Sequence, residues 1–387
     1  MQNPRTLKTK PHVFKNFEAK LSVESPGRIN LIGEHTDYNN GYVMPTAIDK
    51  KIHLHFSKNQ TENFCRFFSE TFDTGFEFYL DKDFEKGSGW ENYILGVIRE
   101  LLKSGNKLEG FDCLIKSELP VGAGISSSAA LECGLASGLN ALFDLKQTKL
   151  EIVKLSQRAE NNFVGSNCGI MDQFSSVLSK KDHLIFLDCK TLEKKYIPAD
   201  FQDCKVLLLN TNVTHKLSES EYNTRREECE AAVKFIQKKN PEVTSLRDVS
   251  ISLLESYRSQ LSETTYKRCM YVLNENERVK QAANFLSGRR LRDFGKLMYE
   301  SHEGLQHNYE VSCPELDFLV DYSRDKDFIY GSRMMGGGFG GCTINIIEKN
   351  KIRDFIEEVS KAYFKKFRIE LDAITVFPSA GTRVIKH

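Results

Sequence analysis

Apolar and polar positions alternate at the end of residues 43–57, with Ile52, Leu54 and Phe56 on one face and His53 and His55 on the other. That period of two predicts a half-buried strand and makes the two histidines solvent-facing strand residues rather than ligands. Residues 64–80 predict a hairpin turning at Asp73, Thr74 and Gly75. Trp90, Tyr93, Ile94, Val97, Ile98 and Leu101 recur at helical spacing, so residues 90–103 predict a helix. A strand over 111–119 follows, then helices over 127–142, 148–164 and 170–179, and short strands near 183–188 and 205–210. The second half is richer in helix: 219–238, 262–286 and 290–305 are long, charged and periodic. A glycine-rich turn at 336–341 leads into a strand at 342–347, a helix near 351–366 and a last strand near 372–377. Strands and helices mix without the regular βαβ rhythm of a doubly wound sheet, so the pattern predicts an α+β fold.

With 387 residues the chain is too long for one small core, and two domains are expected. No linker marks the boundary; it is placed around 195–203, giving domains 1–200 and 201–387. Hydrophobic residues make up 40% and charged residues 28%, an ordinary globular mix. A net charge of +1 gives no reason to expect nucleic acid or an acidic membrane surface as a partner. No apolar run approaches membrane-spanning length. The first twenty residues are mildly basic (Arg5, Lys8, Lys10, Lys15, Lys20) and lack the apolar core of a secretory signal, so they read as an exposed arm, with a transit peptide as the other reading. Ten cysteines are scattered with no Cys-x-x-Cys pair or zinc spacing, which suits buried free thiols in a reducing cytoplasm.

Residues 27–41 read GRINLIGEHTDYNNG. Ile29, Leu31 and Ile32 begin the segment as a buried strand, which breaks at Gly33 into Glu34, His35, Thr36 and Asp37. Four polar side chains after a strand end are costly to bury unless something pairs with them. Two carboxylates and an imidazole on one turn are good partners for sugar hydroxyls. A polar loop with Asp37 opening an Asx-type turn accounts for the spacing equally well.

Residues 119–134 read LPVGAGISSSAALECG, between a strand and an apolar helix. Gly122 and Gly124 let backbone approach a ligand closely. Ser126, Ser127 and Ser128 stand at the helix start, where unpaired N–H groups and the helix dipole attract anions. A serine hydroxyl there can also ligate Mg²⁺. A serine N-cap after a glycine turn is common, but this longer pattern favours phosphate binding. It is not a Walker A loop, since the Gly-Lys-Ser/Thr ending is absent.

Residues 159–173 read AENNFVGSNCGIMDQ, placing Glu160 near the end of one helix and Asp172 in the first turn of the next. Phosphoryl transfer needs one acidic group to hold metal and one to accept the attacking hydroxyl's proton. Among 53 carboxylates, any one is more often a solvated surface group. Residues 334–342 read MMGGGFGGC, and five glycines in six positions demand close approach or several positive φ angles. The apolar flanks argue for a packed turn rather than a flexible linker.

Taken together, GRINLIGEHTDY at 27–38, GAGISSSA at 122–129, CGIMDQ at 168–173 and GGGFGGC at 336–342 resemble the GHMP small-molecule kinases, and among them the galactose-specific branch. The match runs over most of the chain, and the first segment is the signature of that branch. The resemblance implies a two-domain fold of mixed β-sheets packed against helices, with the active site in the interdomain cleft. It implies ATP and Mg²⁺ as cofactors and transfer of the γ-phosphoryl group to the C1 hydroxyl of D-galactose. In that scheme Arg28 stabilises the transferring charge and Asp172 accepts the hydroxyl proton. Glu34, His35, Thr36 and Asp37 face the other sugar hydroxyls and Tyr222, within SEYNTRREEC at 220–229, closes over the sugar. Gly122, Ala123, Gly124, Ile125, Ser126, Ser127 and Ser128 wrap the ATP phosphates, Ser128 with Glu160 holds Mg²⁺, and a looser correspondence sets Ser69 near the nucleotide. A monomer is expected rather than an obligate oligomer. Departures are small: Ile125 for leucine, Asn167 for proline and Ser332 for alanine, none in an implied chemical role. Two other readings remain open at this level, a kinase for N-acetylgalactosamine and a non-catalytic sensor of galactose and ATP.

Overall fold

The computed structural model describes residues 14–15, 17–87, 89–120, 122–214 and 218–387. Most of the basic arm, including Arg5, Lys8 and Lys10, lies outside them. The chain opens with β1 (Leu21–Asn30), β2 (Tyr42–Val43), β3 (Pro45–Lys58), β4 (Phe64–Ser69), β5 (Thr74–Tyr79), α1 (Glu91–Lys103) and β6 (Phe111–Ser117). It continues through α2 (Ser127–Leu142), α3 (Lys149–Ala159), α4 (Met171–Leu178), β7 (His183–Asp188) and β8 (Lys194–Pro198). The second half holds β9 (Cys204–Thr214), α5 (Ser218–Gln237), α6 (Ile251–Ser256), α7 (Glu263–Ser287), α8 (Leu291–His307) and α9 (Pro314–Arg324). It ends with β10 (Ile329–Met334), β11 (Gly340–Glu348), α10 (Ile352–Phe367), β12 (Asp372–Val376), β13 (Pro378–Ser379) and β14 (Arg383–Lys386).

A seven-stranded sheet runs β14-β1-β3-β6-β4-β5, with β13 also on β3. It is mixed, because β4 and β6 pair in parallel while its other pairs are antiparallel. The alternation in β3 sends Ile52, Leu54 and Phe56 inward, each no more than 4% exposed. Helix α2 lies tight on this face: a Cβ at Gly134 would meet Leu54 at 2.6 Å, and one at Gly138 would meet the Phe56 ring at 2.3 Å. Small residues thus let the helix approach the sheet and fix where its N-terminus points. A second sheet runs β10-β11-β9-β12, and β2, β7 and β8 form a third. Helix α7 joins the halves, packing Val279, Ala282 and Leu286 into the larger core and Tyr271, Val272 and Leu273 into a second one.

Several elements were not visible in the apolar pattern: β8, α6, α9, β10, β13 and β14. Strand β10 is buried on both faces, so it shows no alternation. Strands β13 and β14 are short edge pieces, and their pairing with β3 and β1 spans more than 300 residues of chain. The last strands therefore complete the sheet that the first strand begins. Helix α3 does not run on to residue 164; residues Glu160–Val164 form a π-helical turn. All ten cysteines are free, and only Cys168 is not fully buried. Among the described residues no helix is long and apolar enough to cross a membrane.

Candidate active site

A cleft of about 640 Å³ opens where the end of β1, the start of α2, the start of α4 and the glycine loop before β11 converge. Arg28, in β1, reaches across to Asp172 in the first turn of α4. Its Nε donates to Oδ1 at 2.6 Å and its Nη2 to Oδ2 at 2.7 Å, while Nη1 donates to the Gly124 carbonyl at 2.7 Å. Burial alone would lower the Arg28 pKa, but Asp172 outweighs it and holds the guanidinium above its ordinary value. The fork makes a bidentate, charge-assisted contact, which fixes the orientation of the carboxylate as well as its charge. Ser126 adds a third donor, with its hydroxyl 2.5 Å from Oδ2.

That contact explains the backbone at Ser126. It sits at the N-cap of α2 with φ 58° and ψ 54°, and its side chain does not cap the helix. A left-handed serine costs about 1–2 kcal/mol; here it turns the hydroxyl onto Asp172. The first-turn N–H groups of α2 are left to the cleft, which Ser127 and Ser128 also line. Gly122 and Gly124 take φ of 76° and 69°. Gly336 and Gly341, also at positive φ, face them: a Cβ at Gly336 would lie 3.4 Å from the Gly124 carbonyl oxygen. Two glycine loops thus form opposing lips. Ala123 and Ile125 line the cleft as well.

The loop after β1 supplies the other wall. Glu34 is 1% exposed. Its Oε1 accepts from Arg333 Nη2 at 3.1 Å and from the Gly336 N–H at 2.8 Å, and its Oε2 accepts from Asn30 Nδ2 at 2.8 Å. His35 adopts φ 61° and packs against the tilted rings of Tyr222 and Tyr309, with ring centroids 5.5 and 4.9 Å away. Burial pushes its pKa down to about 3, so the imidazole is neutral. Its Nδ1 lies 2.8 Å from the Tyr38 hydroxyl, which lies 2.8 Å from that of Tyr309. Asp37 accepts from the Tyr38 N–H at 2.9 Å and the Met171 N–H at 3.4 Å. Burial, then the charge of Asp172, pushes its pKa up to about 6. Tyr222 covers this wall from α5 and packs on Gly337, where a Cβ would come within 3.2 Å of its ring.

Glu160 begins the π-helical turn and lies under the start of α2. It accepts from Gln173 Nε2 at 2.6 Å and is hydrogen-bonded by Ser128. Burial, then Asp172, pushes its pKa up to about 7. Beneath it Glu132 is fully buried, and burial followed by the neighbouring Glu160 pushes its pKa well above the usual range.

The cleft thus gathers Arg28, Glu34, His35, Asp37, Glu160, Asp172, Tyr222 and the segment around 122–128. Two expected residues lie elsewhere. The Thr36 hydroxyl sits 2.9 Å from the Gly33 carbonyl and 2.6 Å from that of Tyr42, and Thr36 does not line the cleft. It pins the turn, because a buried hydroxyl takes the nearest carbonyls. Ser69 is buried at the end of β4, accepts from the Phe72 N–H at 3.3 Å and likewise is not in the cleft lining. Sequence reasoning missed Arg333, which is fully buried and also donates to the Leu31 carbonyl at 2.9 Å and the Asn30 carbonyl at 2.5 Å. An arginine inside an apolar strand just before a glycine loop was the available signal. Glu132, Gln173 and Tyr309 were missed with no comparable signal.

With this geometry in view, comparison with known proteins is specific. Residues 13–58 match the galactokinase galactose-binding signature, 92–180 the GHMP kinases N terminal domain and 280–366 the GHMP kinases C terminal region. The chain is 44% identical to the galactokinase of Thermotoga maritima, over 94% of this chain and all of that one. It is 41% identical to that of Thermosipho africanus, over 95% of this chain and all of that one. Lactococcus lactis galactokinase, crystallised with galactose, superposes with a TM-score of 0.90 at 34% identity, covering 94% of this chain and 95% of that one. The fold is also that of Methanococcus jannaschii mevalonate kinase, with a TM-score of 0.67 at 18% identity. The chain is a GHMP kinase by fold and site. Within that class it belongs to the galactokinase family.

Proposed function

We propose that this enzyme transfers the γ-phosphoryl group of ATP to the C1 hydroxyl of D-galactose, giving α-D-galactose 1-phosphate and ADP. The observation that carries this reading is the Arg28–Asp172 fork, set between the uncapped start of α2 and a buried wall of Glu34, His35 and Asp37. The sugar's O1–P bond forms as the bond from phosphorus to the ADP oxygen breaks, and the O1 proton passes to Asp172. The transition state is loose, so positioning and charge neutralisation outweigh proton abstraction. Arg28 and Ser126 fix the orientation of Asp172, which receives the proton late in the transfer. Its Oδ1 accepts only from Arg28 and so keeps acceptor capacity for the proton, whereas Oδ2 already accepts from both Arg28 and Ser126.

Glu34, the neutral His35 and Asp37 recognise the remaining sugar hydroxyls, with Tyr222 over the ring. Residues 122–128 with the α2 N-terminus hold the ATP phosphates. The site lies between two units divided near residue 200, with β13 and β14 returning to the first. Glu160 and the Ser128 hydroxyl are hard oxygen donors that fit Mg²⁺, an ion that keeps several waters and takes phosphate oxygens alongside few protein ligands. When bound, Mg²⁺ neutralises charge on the phosphates. The ten free thiols fit a reducing cytoplasm.

Phosphorus NMR of the product tests the regiochemistry. A single phosphomonoester signal coupled to the anomeric proton is expected. Coupling to the C6 protons would contradict transfer to C1.

A further inference from the structure

A second cavity, of about 410 Å³, lies behind the loop 168–170. Its size falls within the range of small-molecule sites. Four cations line it: Lys154 and Arg158 from α3, Lys190 after β7 and Arg226 from α5. Asp37 is the one carboxylate in the lining among the described residues. Arg158 pairs through Nε with Glu100 at 3.3 Å, Arg226 pairs with Glu230 at 2.8 Å and Lys190 pairs with Asp248. Those carboxylates stand outside the lining, so on the cavity face four cations meet one carboxylate, three of the cations being shared with these pairs and Arg226 also donating to the Asn167 carbonyl at 2.8 Å. A concave surface of one sign focuses its field and concentrates the opposite charge. Guanidinium groups match phosphate geometry in particular. Asn40, Gln157 and Asn161 add amides at the same wall.

We propose that this cavity binds a small sugar phosphomonoester, its phosphate held by the four cations and its hydroxyls by the amides. The cavity is a separate site, yet it shares Asp37 and Cys168 with the catalytic cleft. The wall between them is one residue thick: a Cβ at Gly169 would lie 2.0 Å from Asp37 Oδ2. An occupant therefore touches the loop 168–170 that leads into α4 and its Met171 and Asp172, and the site is placed to sense metabolite levels independently of which sugar the cleft accepts.

Calorimetry on the full chain tests this, with the catalytic cleft first titrated to saturation with galactose, Mg²⁺ and a non-hydrolysable ATP analogue. Glucose 6-phosphate is then the probe, with glucose and inorganic phosphate as controls. Saturable binding of glucose 6-phosphate is expected, at least about tenfold weaker in Lys154→Glu and in Arg158→Gln. Both positions are exposed, and the glutamine keeps a donor for Glu100. Turnover without the probe stays unchanged in both variants. Equal affinity for inorganic phosphate would contradict the proposal, because hydroxyl contacts to the amides would then add nothing. No saturable binding with the cleft filled, equal affinity for glucose, or unchanged affinity in both variants would overturn it.

Discussion

Asp37 and Glu160 are carboxyls whose environments oppose ionisation, and each gives a pH test. In the proposed role Asp37, at about 6, is the stronger acceptor for a sugar hydroxyl when ionised. The KM for galactose is expected to rise as pH falls through about 6, and to be flat across pH 5–7 in Asp37→Asn. A native-like slope in that variant would contradict the assignment. For Glu160 the sign runs the other way. Folding raises it from 4.5 to about 7, so its contribution to stability is full below 4.5 and lost as pH rises through about 7. Glu160→Gln cannot ionise, so its Tm relative to the native chain should climb between pH 5 and pH 8, as read by scanning calorimetry. At this scale the sequence was informative where a residue type is chemically conspicuous. The run from Glu34 to Asp37 stood out, whereas Asp172 gained its role only from the family resemblance. Thr36 and Ser69 did not sort themselves, because the direction of a hydroxyl depends on which carbonyl folding brings near it.

Helix α2 shows how packing away from the cleft can position a site. Gly138 allows its approach to Phe56, and a methyl group there has no room. Gly138→Ala is expected to destabilise the fold by about 1–3 kcal/mol, the range for overpacking a core, measured by urea unfolding. Because the N-terminus of α2 moves with it, the KM for ATP should rise more than that for galactose. Elements with one buried face, β3 and α1, were legible from their period, whereas α2, buried nearly all round, was legible from its apolar run and serine-rich start. Strand β10 was not, since burial on both faces removes the alternation. Strand β14 was not, since four edge residues carry too little pattern and their partner lies at the other end of the chain.

Across the whole molecule, Arg333 ties the two halves of the site together. It rises from β10 in one sheet and donates to Leu31, Asn30 and Glu34 at the end of β1 in another. Removing one partner of a fully buried ion pair leaves the other uncompensated, at about 3–5 kcal/mol. Arg333→Met should therefore lower stability by that order in chemical denaturation, whereas Arg333→Lys should recover part of it. Two domains and an α+β fold could be expected from length and rhythm. The returning strands and the tie through Arg333 could not, because long-range pairing leaves little local trace.

Phosphorylation of galactose in the cleft, with Asp172 as base, is open to direct test. A coupled ADP-release assay with Mg²⁺ and ATP, run against galactose, N-acetylgalactosamine, glucose and no sugar, tests it most directly. The account predicts galactose-dependent turnover that falls at least about a hundredfold in Asp172→Asn and Asp172→Ala, the low end for a general base. Turnover with N-acetylgalactosamine alone would contradict the substrate, saturable galactose binding without turnover would contradict the enzyme, and near-normal turnover in both variants would contradict the role of Asp172.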